Sequence, residues 1–301
     1  MVLFCLLFFI LLISPKTTHL GVKNGLVLLE NQVIPSLYPF ILFSSYIRTL
    51  NPICSTPFMI TVGMFSGYPI GAKIIDSLHI TNLPFSRQEL LILCNLPSPA
   101  YMLSFVGFQS FGHPLLGLLI YLCIIIGNVF AVLFLRMLNF MRYSKKEASL
   151  PPHTYKHIQI HNNSTQEPIC VNQKIQFTFS TVIRESFSTL GNIITYLLIF
   201  SIASAFIEQF KKVPQLPKAL FTGFLETTTG ISALITCNLS LNSSLVIVTG
   251  MICFGGLSVI AQTSSVIQST DLSIKKYMTD KALASTIAMS VMYGITILLF
   301  N

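Results

Sequence analysis

The chain has 301 residues, of which 52% are hydrophobic and 9% are charged, and its formal net charge is +8. Soluble domains carry about 25% charged residues, so the composition excludes an ordinary soluble protein and indicates a membrane protein with several spans. The 18 Lys and Arg residues are scattered at the ends of apolar segments. Basic loop residues of this kind fix membrane topology, so the positive charge does not indicate nucleic-acid binding.

The first predicted element is an apolar segment over residues 1–13, with Lys16 after it. No basic region precedes the segment, and no A-x-A-like cleavage site is evident before Pro15. We therefore expect a retained membrane segment rather than a signal peptide. Residues 1–22 are assigned to this segment and its loop.

Residues 23–138 are predicted to form the first of two related halves, and they contain the motif GMFSGYPIGAK at 63–73. Three glycines and a proline within nine residues do not suit an uninterrupted helix, because proline removes a backbone donor and glycine permits tight turns. Broken backbone at membrane depth is tolerated where it is buried in protein or lines a cavity. We expect a re-entrant hairpin here. Its free N–H groups could bind an anionic substrate, and a turn with no ligand contact is the alternative.

Two polar residues follow that motif in the first half. Lys73 could face an anionic substrate, or it could pair with Asp76 one helical turn away. Asn95 is followed by Pro97 and Pro99, which predicts an unwound point in the next span. Its amide could bind a ligand, or it could bridge helices, the commoner role of intramembrane amides.

Residues 139–173 are predicted to form a polar linker without a helical apolar period. Basic residues between positions 136 and 146 place this linker in the cytoplasm. His153, His157 and His161 repeat every four residues, but their surroundings are polar and rich in proline. We therefore expect a solvated loop there and no metal site.

Residues 174–301 are predicted to form the second half because they repeat motifs of the first. Cys-Asn-Leu at 94–96 recurs at 237–239, and the glycine and phenylalanine positions that follow recur at the same offset. A second alignment sets Phe65 against Phe224 and places Gly67 opposite Glu226. A duplicated half with polar and Gly/Pro interruptions points to a transporter whose site lies between the halves. Inverted repeats are our expectation, although the letters alone leave parallel repeats open.

Glu226 lies between the apolar run 219–225 and three threonines, with no Lys or Arg beside it in sequence. An ionisable residue inside a membrane segment costs roughly 2.5 kcal/mol or more and is a functional candidate by default. We predict that Glu226 couples proton or sodium movement to a substrate; a glutamate that caps a helix start is the alternative. Further on, residues 255–262 are expected to form the hairpin tip of the second half or a broken helix. Within them, Ser258 and Gln262 share one helix face and could line a cavity or join two helices.

Motifs of soluble enzymes are missing from the sequence. It contains no nucleotide-binding, zinc-protease, hydrolase or haem motif, so we expect no enzyme and no cofactor beyond a coupling proton or sodium ion. The seven cysteines include no C-x-x-C pair, which favours buried reduced thiols over a disulfide framework or a zinc site.

Four motifs occur in order: SGYPIGAK at 66–73, CNLPSP at 94–99, FLETTTG at 224–230 and GGLSVIAQ at 255–262. Together they resemble the sporulation integral membrane proteins of the nucleoside-recognition Gate-domain superfamily, from about residue 20 onward. That family is similar to concentrative nucleoside transporters in its paired hairpins and broken helices. The second Cys-Asn-Leu segment lacks the prolines of the first, which leaves the exact topology open.

The resemblance implies a role in late sporulation, in the mother-cell membrane around the forespore, with dipicolinic acid as the substrate moved toward the spore. Glu226 would repel a dianion and is therefore predicted as the ion-coupling residue. The predicted substrate-binding residues, most of which match the family's motifs, are Ser66, Gly67, Tyr68, Gly71, Lys73, Asn95, Ser98, Thr227, Thr228, Gly256, Ser258 and Gln262.

We therefore expect an all-α polytopic membrane protein of two related halves, with re-entrant hairpins and broken transmembrane helices. Its expected function is to transport a small anionic metabolite across the lipid bilayer, as a transporter or facilitator. A scaffold or signalling protein of spore cortex assembly and a nucleoside transporter are the alternatives. The sequence leaves the oligomeric state open, a homo-oligomer included.

Overall fold

The computed structural model describes residues 13–49, 56–78, 84–148, 179–210, 212–268 and 271–300, which are helical almost throughout and contain no β-strand. Within them, five helices are long and apolar enough to cross a membrane: Arg87–Ser110, Pro114–Met141, Phe179–Glu208, Leu241–Val266 and Ile274–Leu299. The expectation of an all-α polytopic membrane protein is confirmed.

The first half begins with a helical stretch whose middle turn is π-helical and continues into a short hairpin. A broken span follows, interrupted at residues 95–98, and then a long helix. The elements are Pro15–Leu28, the π-turn Leu29–Val33 and Ile34–Thr49; the first hairpin, Thr56–Ser66 with Ile70–Ser77; the first broken span, Arg87–Cys94 with Pro99–Tyr101 and the π-helical Met102–Ser110; and the long helix, Pro114–Ala148.

The second half shows the same order of element types. The flanking helix, Phe179–Glu208, comes first. It is followed by the second hairpin, Gln215–Leu225 with Thr227–Ile235; the second broken span, Leu241–Phe254 with Gly256–Val266; and the closing helix, Ile274–Phe300.

The spacing of equivalent elements differs from the spacing of the most similar letters. The hairpins begin at Thr56 and Gln215, 159 residues apart, and the last helices begin at Pro114 and Ile274, 160 residues apart. This matches the alignment of Phe65 with Phe224. The two Cys-Asn-Leu segments, in contrast, occupy different places: one lies at the break of the first broken span, and the other precedes the second broken span. An inverted relation between the halves stays a prediction.

Two helices cross boundaries that we predicted from sequence. Pro15–Leu28 passes through the division at residue 22, and the long helix continues to Ala148, beyond Leu138. Residues 139–148 contain several good helix formers and no proline. The helix therefore continues beyond the last apolar residues. The rest of the predicted linker, with its histidines, and most of the predicted first membrane segment lie outside the described residues.

Both hairpins consist of helices that are too short to span a bilayer. The longer helix of each has 11 residues, which gives a length of about 16 Å. The hydrocarbon core is about 30 Å thick. These lengths suit re-entrant hairpins, whose depth in the membrane stays a prediction.

The two halves pack closely through small residues. A Cβ atom on Gly127 of the long helix would lie 2.7 Å from Ala288 Cβ and 2.8 Å from the Ala284 carbonyl oxygen of the closing helix. A Cβ atom on Gly21 would lie 2.6 Å from Ile202 Cα of the flanking helix. Small residues let membrane helices approach closely, so these contacts hold elements of the two halves together.

Candidate functional site

The turn of the first hairpin packs directly on the break of the first broken span. Gly67 has a φ of +84°, and a Cβ atom there would lie 3.0 Å from Ser98 Cβ. A Cβ atom on Gly71 would lie 2.1 Å from the Cys94 carbonyl oxygen. Gly67 therefore permits the turn and Gly71 permits the close approach, and together they set Tyr68 beside Ser98.

The turn of the second hairpin is built around Glu226. Its Oε1 accepts a hydrogen bond from the Thr228 backbone N–H at 3.0 Å, and its Oε2 accepts from the Thr229 N–H at 2.6 Å and from Thr229 Oγ1 at 2.7 Å. The carboxylate thus caps the helix Thr227–Ile235, as the alternative interpretation of the sequence proposed. A negative group at a helix N-terminus is also stabilised by the helix dipole.

Both turns meet at one buried cavity of about 60 Å³. This volume holds a few water molecules, whereas sites for small molecules usually enclose about 300–1,000 Å³. Six predicted site residues line the cavity: Tyr68, Ser98, Glu226, Thr227, Thr228 and Gln262. Apolar residues of the first helical stretch and the flanking helix, such as Leu37 and Ile193, complete the wall.

Hydroxyl groups dominate the polar part of the wall. Tyr68 donates its O–H to the Ile252 carbonyl at 2.8 Å, which joins the first hairpin to the second broken span. Ser98 accepts a hydrogen bond from the Tyr101 N–H at 3.2 Å, so its own O–H remains to donate. Thr227 Oγ1 is buried without a hydrogen-bond partner in the described part of the chain. These hydroxyls give the cavity donors for a polar ligand.

The cavity carries negative rather than positive charge. Glu226 lines it, and no Lys, Arg or His does so among the described residues. Lys73, which we predicted at the site, donates instead to Thr189 Oγ1 at 3.2 Å and lies 3.0 Å from Glu185 Oε1. The flanking helix supplies both partners, so the pairing depends on a segment more than a hundred residues away in sequence.

Six further predicted site residues also lie outside the cavity lining. Asn95 bridges helices, since its Nδ2 lies 2.8 Å from both Thr263 Oγ1 and Tyr277 Oη. Ser66 donates to the Val62 carbonyl within its own helix, and Ser258 accepts from Gln262. Gly67 and Gly71 support the first turn. Gly256, at a φ of +70°, packs against the second hairpin near Thr227.

Sequence reasoning missed two features around the site. Tyr101 lines the cavity, and its hydroxyl lies 3.2 Å from Thr228 Oγ1; its position three residues after Ser98, where a helix restarts, was a usable signal. Lys281 is buried in the closing helix, with Nζ 2.9 Å from Asn128 Oδ1. Within the described residues, no three His, Cys, Asp or Glu side chains gather as a metal site.

These features define a class: an all-α, multi-pass membrane protein in which two helical hairpins and two broken spans contribute polar groups to the wall of a small, mostly apolar cavity. Among proteins of known name, the chain is similar to the sporulation integral membrane protein YlbJ of Bacillus subtilis (strain 168). The two are 23% identical over 314 aligned positions, which cover 91% of this chain and 76% of YlbJ. No protein-family model matches the chain, and no solved structure matches it. The chain is thus a membrane protein with a sporulation-associated relative.

Proposed function

We propose that this protein is a transporter or facilitator that moves a small polar metabolite through the cavity between its hairpins. The observation that carries the proposal is the meeting of Tyr68 and Glu226, one from each hairpin turn, at a single buried cavity. Burying a carboxylate inside a membrane protein is costly. Capping of the helix Thr227–Ile235 by this carboxylate would serve a scaffold as well as a transporter, but a transporter also needs polar groups along its path.

Passage through the cavity requires movement of the protein. A volume of about 60 Å³ is too small for a metabolite, so on this proposal the cavity must widen during transport. The hairpins are the elements suited to move, because each is a short helical pair whose turn forms part of the cavity wall. Alternating access by such motion around a fixed site is common to secondary transporters.

Dipicolinic acid, a planar pyridine dicarboxylate, is the substrate that we propose. Support comes from the similarity to a sporulation membrane protein and from the motifs that resemble the Gate-domain superfamily. The hydroxyls of Ser98 and Thr227 can donate to carboxylate oxygens. On this proposal the protein works in the mother-cell membrane around the forespore and belongs to that sporulation family.

A nucleoside is the second candidate, and the charge of the lining favours it. Glu226 is an acceptor suited to ribose hydroxyls, and no basic side chain offsets its charge within the described lining. A neutral ligand with many hydroxyl donors would satisfy such a wall. The two candidates therefore differ in the charge of the substrate, which competition experiments separate.

The test is uptake of labelled dipicolinate into liposomes that contain the purified protein, under proton and sodium gradients. Glu226→Gln removes the cavity carboxylate. Glu208→Gln is the matched control, because Glu208 pairs with Lys218 at 3.6 Å, has a half-exposed side chain and does not line the cavity. We expect saturable uptake that the first variant slows and the second leaves unchanged. Competition by uridine but not by dipicolinate would support the nucleoside, and no uptake above empty liposomes for either compound would refute transport.

A further inference from the structure

Lys281 is a buried lysine that the proposed transport site does not yet use. It lies seven residues into the closing helix, about 10 Å from its start, and only 1% of its surface is exposed. Its ammonium group donates to Asn128 Oδ1 at 2.9 Å and to the Ile92 carbonyl at 3.4 Å. The Tyr277 ring lies 5.9 Å away. All of these neighbours are neutral.

The charge of Lys281 therefore has no direct counter-charge in the described structure. No carboxylate lies within 4 Å of its Nζ among those residues, whereas Arg136, for example, pairs with Glu89 at 2.8 Å. Asp280 precedes Lys281 in the same helix and is buried, but its Oδ2 has no hydrogen-bond partner within the described residues. A buried charge with only neutral partners is costly, and inside a membrane segment it is a functional candidate.

One chain of contacts leads from Lys281 to the wall of the cavity. Asn128, which binds the ammonium group, also donates to Cys253 Sγ at 3.5 Å. Cys253 follows Ile252, whose side chain lines the cavity and whose carbonyl accepts from Tyr68. Lys281 is thus linked through Asn128 and Cys253 to Ile252 of the cavity wall.

A second chain of contacts reaches the same cavity from the other side. Tyr277, beneath the ammonium group, lies 2.8 Å from Asn95 Nδ2 through its hydroxyl. Asn95 and Ser98 lie in the same break of the first broken span. The second hydrogen-bond partner of Asn95 is Thr263, which directly follows Gln262 in the second broken span. Ser98 and Gln262 both line the cavity. The positive charge is therefore placed at the back of the site, between its two broken spans.

We propose that Lys281 is a specificity-determining residue that makes the cavity bind anions, an inference that rests on the proposed transport function. Glu226 brings a negative charge to the lining, and the two N–H groups from which it accepts hydrogen bonds are neutral. Lys281 supplies a positive charge that opposes the repulsion of an anion by Glu226. In general, a positive charge about 10 Å from a ligand, at an effective dielectric constant of about 20, changes the affinity roughly tenfold for each negative charge on that ligand.

The experiment compares two probes of the same shape on the purified full-length chain. Dipicolinate is a planar dianion, and pyridine-2,6-dicarboxamide is its neutral counterpart. Binding is measured by isothermal titration calorimetry for the wild type, Lys281→Met, Lys281→Arg and the control Lys218→Met. We expect the ratio of dianion affinity to diamide affinity to be roughly tenfold or more higher for the wild type than for Lys281→Met. Lys281→Met should keep the wild-type affinity for the diamide, Lys281→Arg should keep the wild-type ratio, and the control should match the wild type.

Two results overturn the inference. One is equal affinity of the wild type and Lys281→Met for dipicolinate; the other is a wild type that prefers the diamide. If the wild type prefers the diamide and liposomes take it up, the transport proposal stands although the inference about Lys281 fails. If liposomes take up neither probe, the transport proposal is refuted. If Lys281→Met does not fold, Asn128→Leu combined with it removes the acceptor left unpaired. The preference of the wild type between the probes tests the inference without any variant.

Discussion

Gly71 tests directly how the first hairpin is held against the first broken span. In Gly71→Ala, the new Cβ would lie 2.1 Å from the Cys94 carbonyl oxygen and 2.7 Å from its carbon. Backbone atoms cannot rotate aside as a side chain can, so the hairpin must move away. Overpacking costs about 1–3 kcal/mol of unfolding free energy, and the better helix propensity of alanine returns up to about 1 kcal/mol. Because the contact is with backbone, we take the upper cost of about 3 kcal/mol and expect a net loss of about 2 kcal/mol in the free energy of unfolding.

The assay is thermal unfolding of the detergent-purified protein, with Gly191→Ala as the control. Gly191 lies on an exposed face of the flanking helix, and nothing lies within 4 Å of the position of its Cβ. The same change of one methyl group should there leave the apparent melting temperature unchanged or raise it slightly. Gly71→Ala should lower it by several degrees and expose Cys94, which is fully buried, to alkylation by N-ethylmaleimide. Equal melting of the two variants would refute the close contact of Gly71 with Cys94.

Three more substitutions test other contacts. Asp271→Asn should lower the free energy of unfolding by at most about 1 kcal/mol, because Asp271 pairs with Arg87 at 2.8 Å at an exposed site. This loss should shrink in about 1 M NaCl, and a loss that does not depend on salt would contradict the assignment to this ion pair. Tyr277→Phe should cost about 1–2 kcal/mol by leaving Asn95 with fewer partners, and a double-mutant cycle with Asn95→Leu should show non-additive unfolding energies. Gly127→Val should lower the melting temperature by separating the long and closing helices, whereas unchanged melting would contradict their close approach.

The turn of the first hairpin was predictable because local chemistry determines it. Glycine and proline restrict where a helix can continue, so the crowded motif around Gly67 and Pro69 marked the first turn at its observed place. For the second half we expected a hairpin tip or a broken helix at residues 255–262, and the structure has the break of the second broken span there. The turn of the second hairpin lies instead at Glu226. The threonine backbone N–H groups that follow it need an acceptor, and the adjacent carboxylate provides one.

The partners of charged residues could not be predicted in the same way. Lys73 is one helical turn from Asp76, but the fold brings Glu185 to it and gives Asp76 to Arg87. Long side chains choose among partners by tertiary position, which sequence spacing does not contain. The repeated Cys-Asn-Leu letters misled for a related reason. A chain composed largely of a few apolar residue types contains short identical segments at several sequence spacings by chance. The order of the helices repeats at only one of these spacings, the one between Phe65 and Phe224.

The two buried charges, Glu226 and Lys281, are anchored to different parts of the molecule. Within the described residues, the hydrogen bonds to the Glu226 carboxylate come from its own hairpin, at Thr228 and Thr229, so this charge moves whenever the second hairpin moves. Lys281 is held by Asn128 of the long helix, and Gly127 beside it is packed tightly against the closing helix. Movement of the hairpin therefore changes the distance between the negative and the positive charge. If the hairpin opens the cavity, the same motion alters its affinity for an anion, which ties binding to conformation through electrostatics alone.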